Sequence, residues 1–191
     1  MTQVRWRKRL EASHRRVSGH AIRTERLLLR RWRTDDIEPF AALCSDPEVM
    51  RYIGSGTTRD AEEAAASIRA YEREWDEKGY GLFAVELLDG KRLIGFTGLA
   101  TPTFLPEIMP AVEIGWRLSR DSWGKGYATE AARAALRYGL VELRIPEIVS
   151  IYQVENHASA RIVHKLGMRL ERETLDPSCG RRVRVHRTSL T

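Results

Sequence analysis

Between Trp123 and Ala128 the chain reads Trp-Gly-Lys-Gly-Tyr-Ala, just ahead of an alanine-rich stretch. Gly124 and Gly126 allow a tight turn whose amides can approach a ligand without a side chain in the way. A helix starting there adds unpaired N–H groups and the positive end of its dipole, which suits phosphate or pyrophosphate. Lys125 adds charge, Ala128 is small enough for close packing, and Tyr127 and Thr129 complete the helix entry. There is no GxxxxGK[ST] and no full GxGxxG, so a Walker-type loop and a dinucleotide fingerprint are disfavoured. Taken alone, a GxG of this length is more often an ordinary turn.

Upstream, residues 111–118 alternate as a strand does, with Val112, Ile114, Trp116 and Leu118 on one face and Glu113, Gly115 and Arg117 on the other. Glu113 is therefore an acid on the less apolar face, close in sequence to the turn. It can serve as a proton acceptor or as a structural acid paired with Arg117. Downstream, Asn156 and Ser159 flank a helix start, where Asn156 can cap the helix or bond a ligand. Tyr152 reads as strand packing. His157 and His164 have no cysteine or carboxylate constellation around them, so no metal site is expected. Cys44 and Cys179 form no CxxC and no disulfide framework, which fits a reducing, cytoplasmic setting.

These groups need elements to position them. Residues 22–32, with Leu27-Leu28-Leu29, read as a first strand, and Thr34-Asp35-Asp36 as a helix start. Thr57 to Lys78 reads as a long helix stopped by Gly79. A hairpin over 82–99 turns at Asp89-Gly90. A proline-containing loop over 101–110 leads into the 111–118 strand. Thr129 to Tyr138 reads as a helix, 148–154 as a strand, 157–166 as a helix, and 182–190 as a closing strand. This order is mixed α/β and lacks the repeated strand–helix alternation of a doubly wound sheet.

A chain of 191 residues, 42% hydrophobic and 30% charged, suits one domain of residues 21–191 behind a basic leader of residues 1–20 that is expected to be disordered. Of the net charge of +6, the leader carries six basic residues against one acid, or +5, leaving +1 for the rest. The leader can make weak, nonspecific contact with nucleic acid, but no recognition motif accompanies it. No apolar run is long enough for a transmembrane helix. A homodimer through an exposed sheet edge or the 101–110 segment is a further expectation.

Two stretches, 111–116 (Ala-Val-Glu-Ile-Gly-Trp) and 123–131 (Trp-Gly-Lys-Gly-Tyr-Ala-Thr-Glu-Ala), together resemble the acetyl-CoA-binding region of the GNAT N-acetyltransferases. Residues 22–30 and 156–168 resemble the opening strand and later cofactor-side helix of the ribosomal-protein N-terminal (RimJ/RimL-like) subgroup. The resemblance spans about 22–187. It implies a mixed, splayed central sheet flanked by helices, with acetyl-CoA between the separated strands. The pantetheine arm would pair with backbone at Ile114, Trp116 and Leu118, and the pyrophosphate would lie on residues 123–129. Gly126 and Ala128 occupy the last two positions of the family's Q/R-x-x-G-x-G/A pattern, while Trp123 replaces its first residue. The amides can still bind phosphate; a side-chain contact from position 123 is not expected.

Glu113, on the less apolar face and close in sequence to the turn, is the leading base, directly or through water; the resemblance makes Ser159 the group beside the departing sulfur or the cofactor, and Asn156 is a contact near the cofactor or substrate, or the cap of the following helix. The expected function is acetyl transfer to a primary amine, with a protein N-terminal α-amine first. A small amine such as an aminoglycoside or polyamine, or a noncatalytic acyl-CoA-binding module, are the alternatives.

Overall fold

The computed structural model describes residues 16–17 and 21–189. The expectations for the basic leader, its disorder and its nucleic-acid contacts, fall almost entirely outside the described residues. Among the described residues nine strands form one sheet: β1 (Arg16–Val17), β2 (Ala21–Arg23), β3 (Leu27–Arg30), β4 (Leu82–Leu87), β5 (Leu93–Ala100), β6 (Glu113–Leu118), β7 (Glu147–Gln153), β8 (Arg169–Leu175) and β9 (Arg182–Ser189). Their order is β1-β2-β3-β4-β5-β6-β7-β9-β8. In the same described residues five α-helices accompany them: α1 (Ile37–Cys44), α2 (Pro47–Met50), α3 (Ala61–Lys78), α4 (Tyr127–Arg137) and α5 (His157–Lys165).

Every neighbouring pair is antiparallel except β6 and β7. That parallel pair is in ladder register only at Glu113 opposite Val149, where the Val149 amide donates to the Val112 carbonyl at 2.9 Å. Beyond this fork the two strands pair no further, so the edge of β6 keeps unpaired backbone groups. The expected splayed sheet is present.

Both faces of the sheet are covered. On one, Ile114 and Leu118 of β6 and Ile148 of β7 pack against Ala131, Ala134 and Ala135 of α4. On the other, Phe96 packs with Phe40 and Cys44 of α1, Ile68 of α3 and Trp32. Burying each large apolar side chain stabilises by roughly 1.5–3 kcal/mol, so these faces fix the angle at which the strands part. A smaller cluster, Leu105, Ile108, Val149, Val183 and Val185, supports β7 and β9 beside the fork.

Two boundaries differ from the sequence expectations for local reasons. Residues 22–32 form a tight hairpin rather than one strand, because the Thr24 hydroxyl accepts from the Leu27 amide at 3.0 Å and folds the chain back, pairing Ile22 with Leu29. Helix α3 starts at Ala61 rather than Thr57: Asp60 accepts from the Glu63 amide at 2.9 Å and Glu63 accepts from the Asp60 amide at 3.0 Å, a reciprocal cap that sets the first turn. Asp46-Pro47 opens the short helix α2, with Asp46 accepting from the Glu48 amide. The Gly79 stop and the Asp89-Gly90 hairpin stand as expected.

Arg30 is buried, and it is neutralised on both sides. Its guanidinium bonds Asp36 at 2.7 and 2.8 Å and Glu86 at 2.7 Å. A buried guanidinium keeps its charge in this way, by charge-assisted bonds that replace water.

Candidate active site

The turn over 123–126 meets α4 with both glycines in the left-handed region, Gly124 at φ 75° and Gly126 at φ 82°. Residues with a Cβ are strained there. Gly126 occupies the N-cap position, and no side chain caps the helix. Two neighbouring helices differ: Asp60 caps α3 and Asn156 caps α5. Helix α4 thus leaves its first amides, which have no intrahelical partners, open for an anion.

The turn is anchored to the first hairpin. Glu130, in the first turn of α4, accepts from the Thr24 hydroxyl at 2.6 Å, the Arg26 amide at 2.9 Å and the Arg26 guanidinium at 2.7 Å. Arg26 also donates to the Lys125 carbonyl at 3.0 Å and lies 4.7 Å over the Tyr127 ring. Partial burial raises the Glu130 carboxyl, but the bonds from Thr24 and Arg26 outweigh it and hold the group below its ordinary range.

From this turn a cleft of about 740 Å³ runs between β6 and β7 to the fork. Its lining includes Ile114, Trp116, Leu118, Trp123, Gly124, Gly126, Tyr127, Ala128, Thr129, Asn156 and Ser159, with Glu113 at the fork. Of the residues expected at the site, Lys125 is the one set apart: it is exposed and not in that lining. The Trp123 indole turns back to donate to the Leu118 carbonyl at 2.9 Å, tying the turn to the end of β6.

Glu113 retains some open surface toward the cleft, yet it sits deep in the fork. Burial pushes its carboxyl up to about 8, opposed only by a hydrogen bond from the Ile151 amide. It has no ion pair with Arg117. That guanidinium points instead to Cys44, 3.7 Å away, and over the Phe96 ring at 5.1 Å. At the other wall, Asn156 Oδ1 accepts from the Ser159 amide at 3.0 Å, so the cap is formed. The same bond holds Ser159 against the cleft. Tyr152 is buried and bonds His186 at 3.0 Å. No cluster of residues suited to a metal occurs among the described residues, and none of their helices is long and apolar enough to cross a membrane.

Sequence reasoning passed over two supports. The first is the Thr24–Arg26–Glu130 anchor, whose parts lie in segments already recognised, 22–30 and 123–131, without any linear sign that they meet. The second is a strap across the cleft: Arg181 donates to the Arg51 carbonyl and to Gln153 Oε1, both at 2.9 Å, and Gln153 Nε2 donates to the Gly54 carbonyl at 2.8 Å. It holds the loop after α2 to the end of β7. No sequence signal marks it.

Residues 26–169 match the family described as "Acetyltransferase (GNAT) domain". The chain belongs to the GNAT acetyltransferase family. A Bacillus subtilis relative named as an uncharacterised N-acetyltransferase, YnaD, is 36% identical over 150 residues, 78% of this chain and 83% of that protein. A spermidine N(1)-acetyltransferase from Escherichia coli is 26% identical over 159 residues, covering 83% of this chain and 78% of the relative. The crystal structure of a GNAT-family acetyltransferase from Bacillus anthracis superposes with a TM-score of 0.73 at 28% identity, covering 88% of this chain and 98% of that one. As a GNAT enzyme the chain is an acetyl-CoA-dependent N-acetyltransferase. Its cleft fits such a donor on two observations: an uncapped helix start for the pyrophosphate, and an unpaired β6 edge for an extended amide-bearing arm.

Proposed function

We propose that the acceptor is an α-amine, foremost that of a protein N-terminus, and that Glu113 is its base. The observation that carries this reading is the Glu113 carboxyl at about 8, at the fork of the strands. An α-amine titrates near 7.7–8.0, against about 10.4 for a lysine-type amine. A base matched to its proton donor transfers the proton at little cost, whereas a polyamine nitrogen would hold its proton some two units more tightly.

Acetyl-CoA supplies the thioester carbonyl that the amine attacks. Residues 123–129 would hold its pyrophosphate through the free amides of α4, and the β6 edge at Ile114, Trp116 and Leu118 would pair with its arm. Glu113 takes the ammonium proton and leaves a neutral nucleophile. The Asn156 cap fixes the Ser159 backbone, and the Ser159 hydroxyl would donate toward the departing sulfur. Orientation in the cleft contributes alongside these proton transfers.

The charge of the cleft supports the same acceptor. Its lining carries three acids, Glu48, Glu113 and Asp176, against four bases, Arg51, Arg117, Arg161 and Lys165. Asp176 is already engaged by Ser178. A polycation is attracted by an acidic cleft, and this one is not acidic. The test is a mass-resolved transfer screen over peptides with varied first residues, aminoglycosides and polyamines. Acetylation at peptide α-amines is expected; faster turnover of spermidine or an aminoglycoside would overturn the reading.

A further inference from the structure

Two arginines of this chain are buried to nearly the same degree, Arg30 at 6% exposure and Arg117 at 8%. Arg30 has two carboxylates. Arg117, among the described residues, has none: its polar contacts end at the Cys44 sulfur, and its Nε is buried without a partner. Removing a guanidinium from water without a counter-charge is costly, and the fold shows at Arg30 how the cost is ordinarily met. Arg117 also lines the cleft, on the same β6 face as Glu113 and beside Tyr71 and Phe96. The Phe96 face offsets some of the desolvation, but it offers no hydrogen-bond acceptor.

We propose that Arg117 is the anion receptor of the acceptor site, so that the accepted amine belongs to a molecule bearing a nearby carboxylate. This rests on the α-amine reading above and narrows it. Glu113 and Arg117 stand four residues apart on one strand, about 13 Å along its axis, with both side chains reaching into the same cleft. An acceptor spanning them places its amine at the fork and its carboxylate against the guanidinium, whose planar fork matches a carboxylate's two oxygens. Two sources offer this chemistry: an acidic side chain near a polypeptide N-terminus, and a small amino acid or short peptide. A site built around an unpaired buried charge rejects the neutral isostere, because the charge is then left without a partner.

The experiment compares acetyl transfer to isosteric pairs. Peptides beginning with Glu or Gln form one arm, and the α-amides of glutamate and glutamine the other, so that each pair differs in a single carboxylate, with wild-type enzyme, Arg117→Met and Arg117→Lys. Wild type is expected to favour the acidic member of at least one pair by tenfold or more in kcat/KM. The arm showing it identifies the source. Arg117→Met is expected to bring that ratio to about one, and Arg117→Lys to an intermediate value. No preference in wild type, or a preference that survives Arg117→Met, overturns the proposal. Thermal unfolding of each variant supplies a second reading, since a residue kept for packing would lower the Tm when lost, whereas removing an unpaired buried charge leaves it equal or raises it. If every α-amine proves inert while spermidine is acetylated, the α-amine reading fails, and glutarate binding then decides Arg117 separately. A glutarate-dependent rise in Tm, absent with glutaramide and absent in Arg117→Met, supports the receptor; no rise in wild type overturns it.

Discussion

Arg26 and Glu130 lie 104 residues apart and join at 2.7 Å, so the helix that follows the glycine turn is fastened to the turn of the first hairpin. Glu130 takes two further bonds there, from the Thr24 hydroxyl and the Arg26 amide. The position of the free α4 amides over the cleft therefore depends on a carboxylate that itself need not touch the cofactor.

Glu130→Gln should raise the KM for acetyl-CoA by on the order of tenfold, an effect near 1.4 kcal/mol, and change kcat less. The variant should also lose about 1–2 kcal/mol of stability, because charge-assisted bonds are replaced by weaker ones. The carboxyl is held below its ordinary value, so its contribution is present above about 4.5 and fades as pH falls through the lowered value. Denaturant titrations at pH 7 and pH 3 check this: the gap between wild type and variant should close in acid.

Glu113 has the opposite linkage. Its carboxyl is raised to about 8, so between 4.5 and 8 the unfolded chain ionises while the folded chain resists. Wild type should lose stability across that window, and Glu113→Gln should not. Melting temperatures of the two should agree near pH 4 and separate by pH 9, with the variant higher. Acetyl transfer by wild type should rise through pH 8. In the variant turnover should fall about 10²-fold or more, leaving only the inflection of the acceptor's own α-amine. Unchanged turnover across pH in the variant would remove Glu113 as the base.

Asn156 and Ser159 divide a structural task from a chemical one. Asn156→Ala removes the α5 cap and should cost about 1 kcal/mol of stability. Ser159→Ala keeps the cap, which uses the Ser159 backbone amide, and should leave the Tm unchanged while lowering kcat. Normal cofactor affinity together with normal turnover in Ser159→Ala would rule out a role for the hydroxyl.

Arg181→Ala should release the loop after α2 from β7, since the guanidinium meets the carbonyls of Arg51 and Ser55 and the Gln153 side chain. The expected outcome is a severalfold rise in acceptor KM, faster proteolysis near residues 51–56, and an unchanged KM for acetyl-CoA. Equal rises in both KM values would place the loop's influence on the whole cleft rather than on its acceptor side.

Much of this architecture is legible in local patterns. The alternation of 111–118 marks β6, the Gly79 stop marks the end of α3, and Asp89-Gly90 marks the β4–β5 turn, because each depends on backbone preferences of a few adjacent residues. Where the reading of 22–32 as one strand failed, the cause was a side chain: the Thr24 hydroxyl bonds backbone three residues on, which period-two hydrophobicity does not register. The start of α3 moved to Ala61 for a similar reason, a cap formed by Asp60 and Glu63.

The glycine turn and the helix after it were readable from linear order, since glycine spacing and an immediately following helix are local facts and the surrounding segments carry the family resemblance. Pairings across long separations were not. Whether Glu113 would meet Arg117 or stand apart from it depended on Phe96 and Cys44, brought in from β5 and α1. Its high carboxyl pKa depended on burial at a fork that exists only after β6 and β7 come together. Burial and electrostatics belong to the space around a group, and that space is filled by residues far away along the chain. Order along the chain thus set the identity of the turn at 123–128, while folding set which acid would be desolvated, which cation left unpaired, and what anchors the turn.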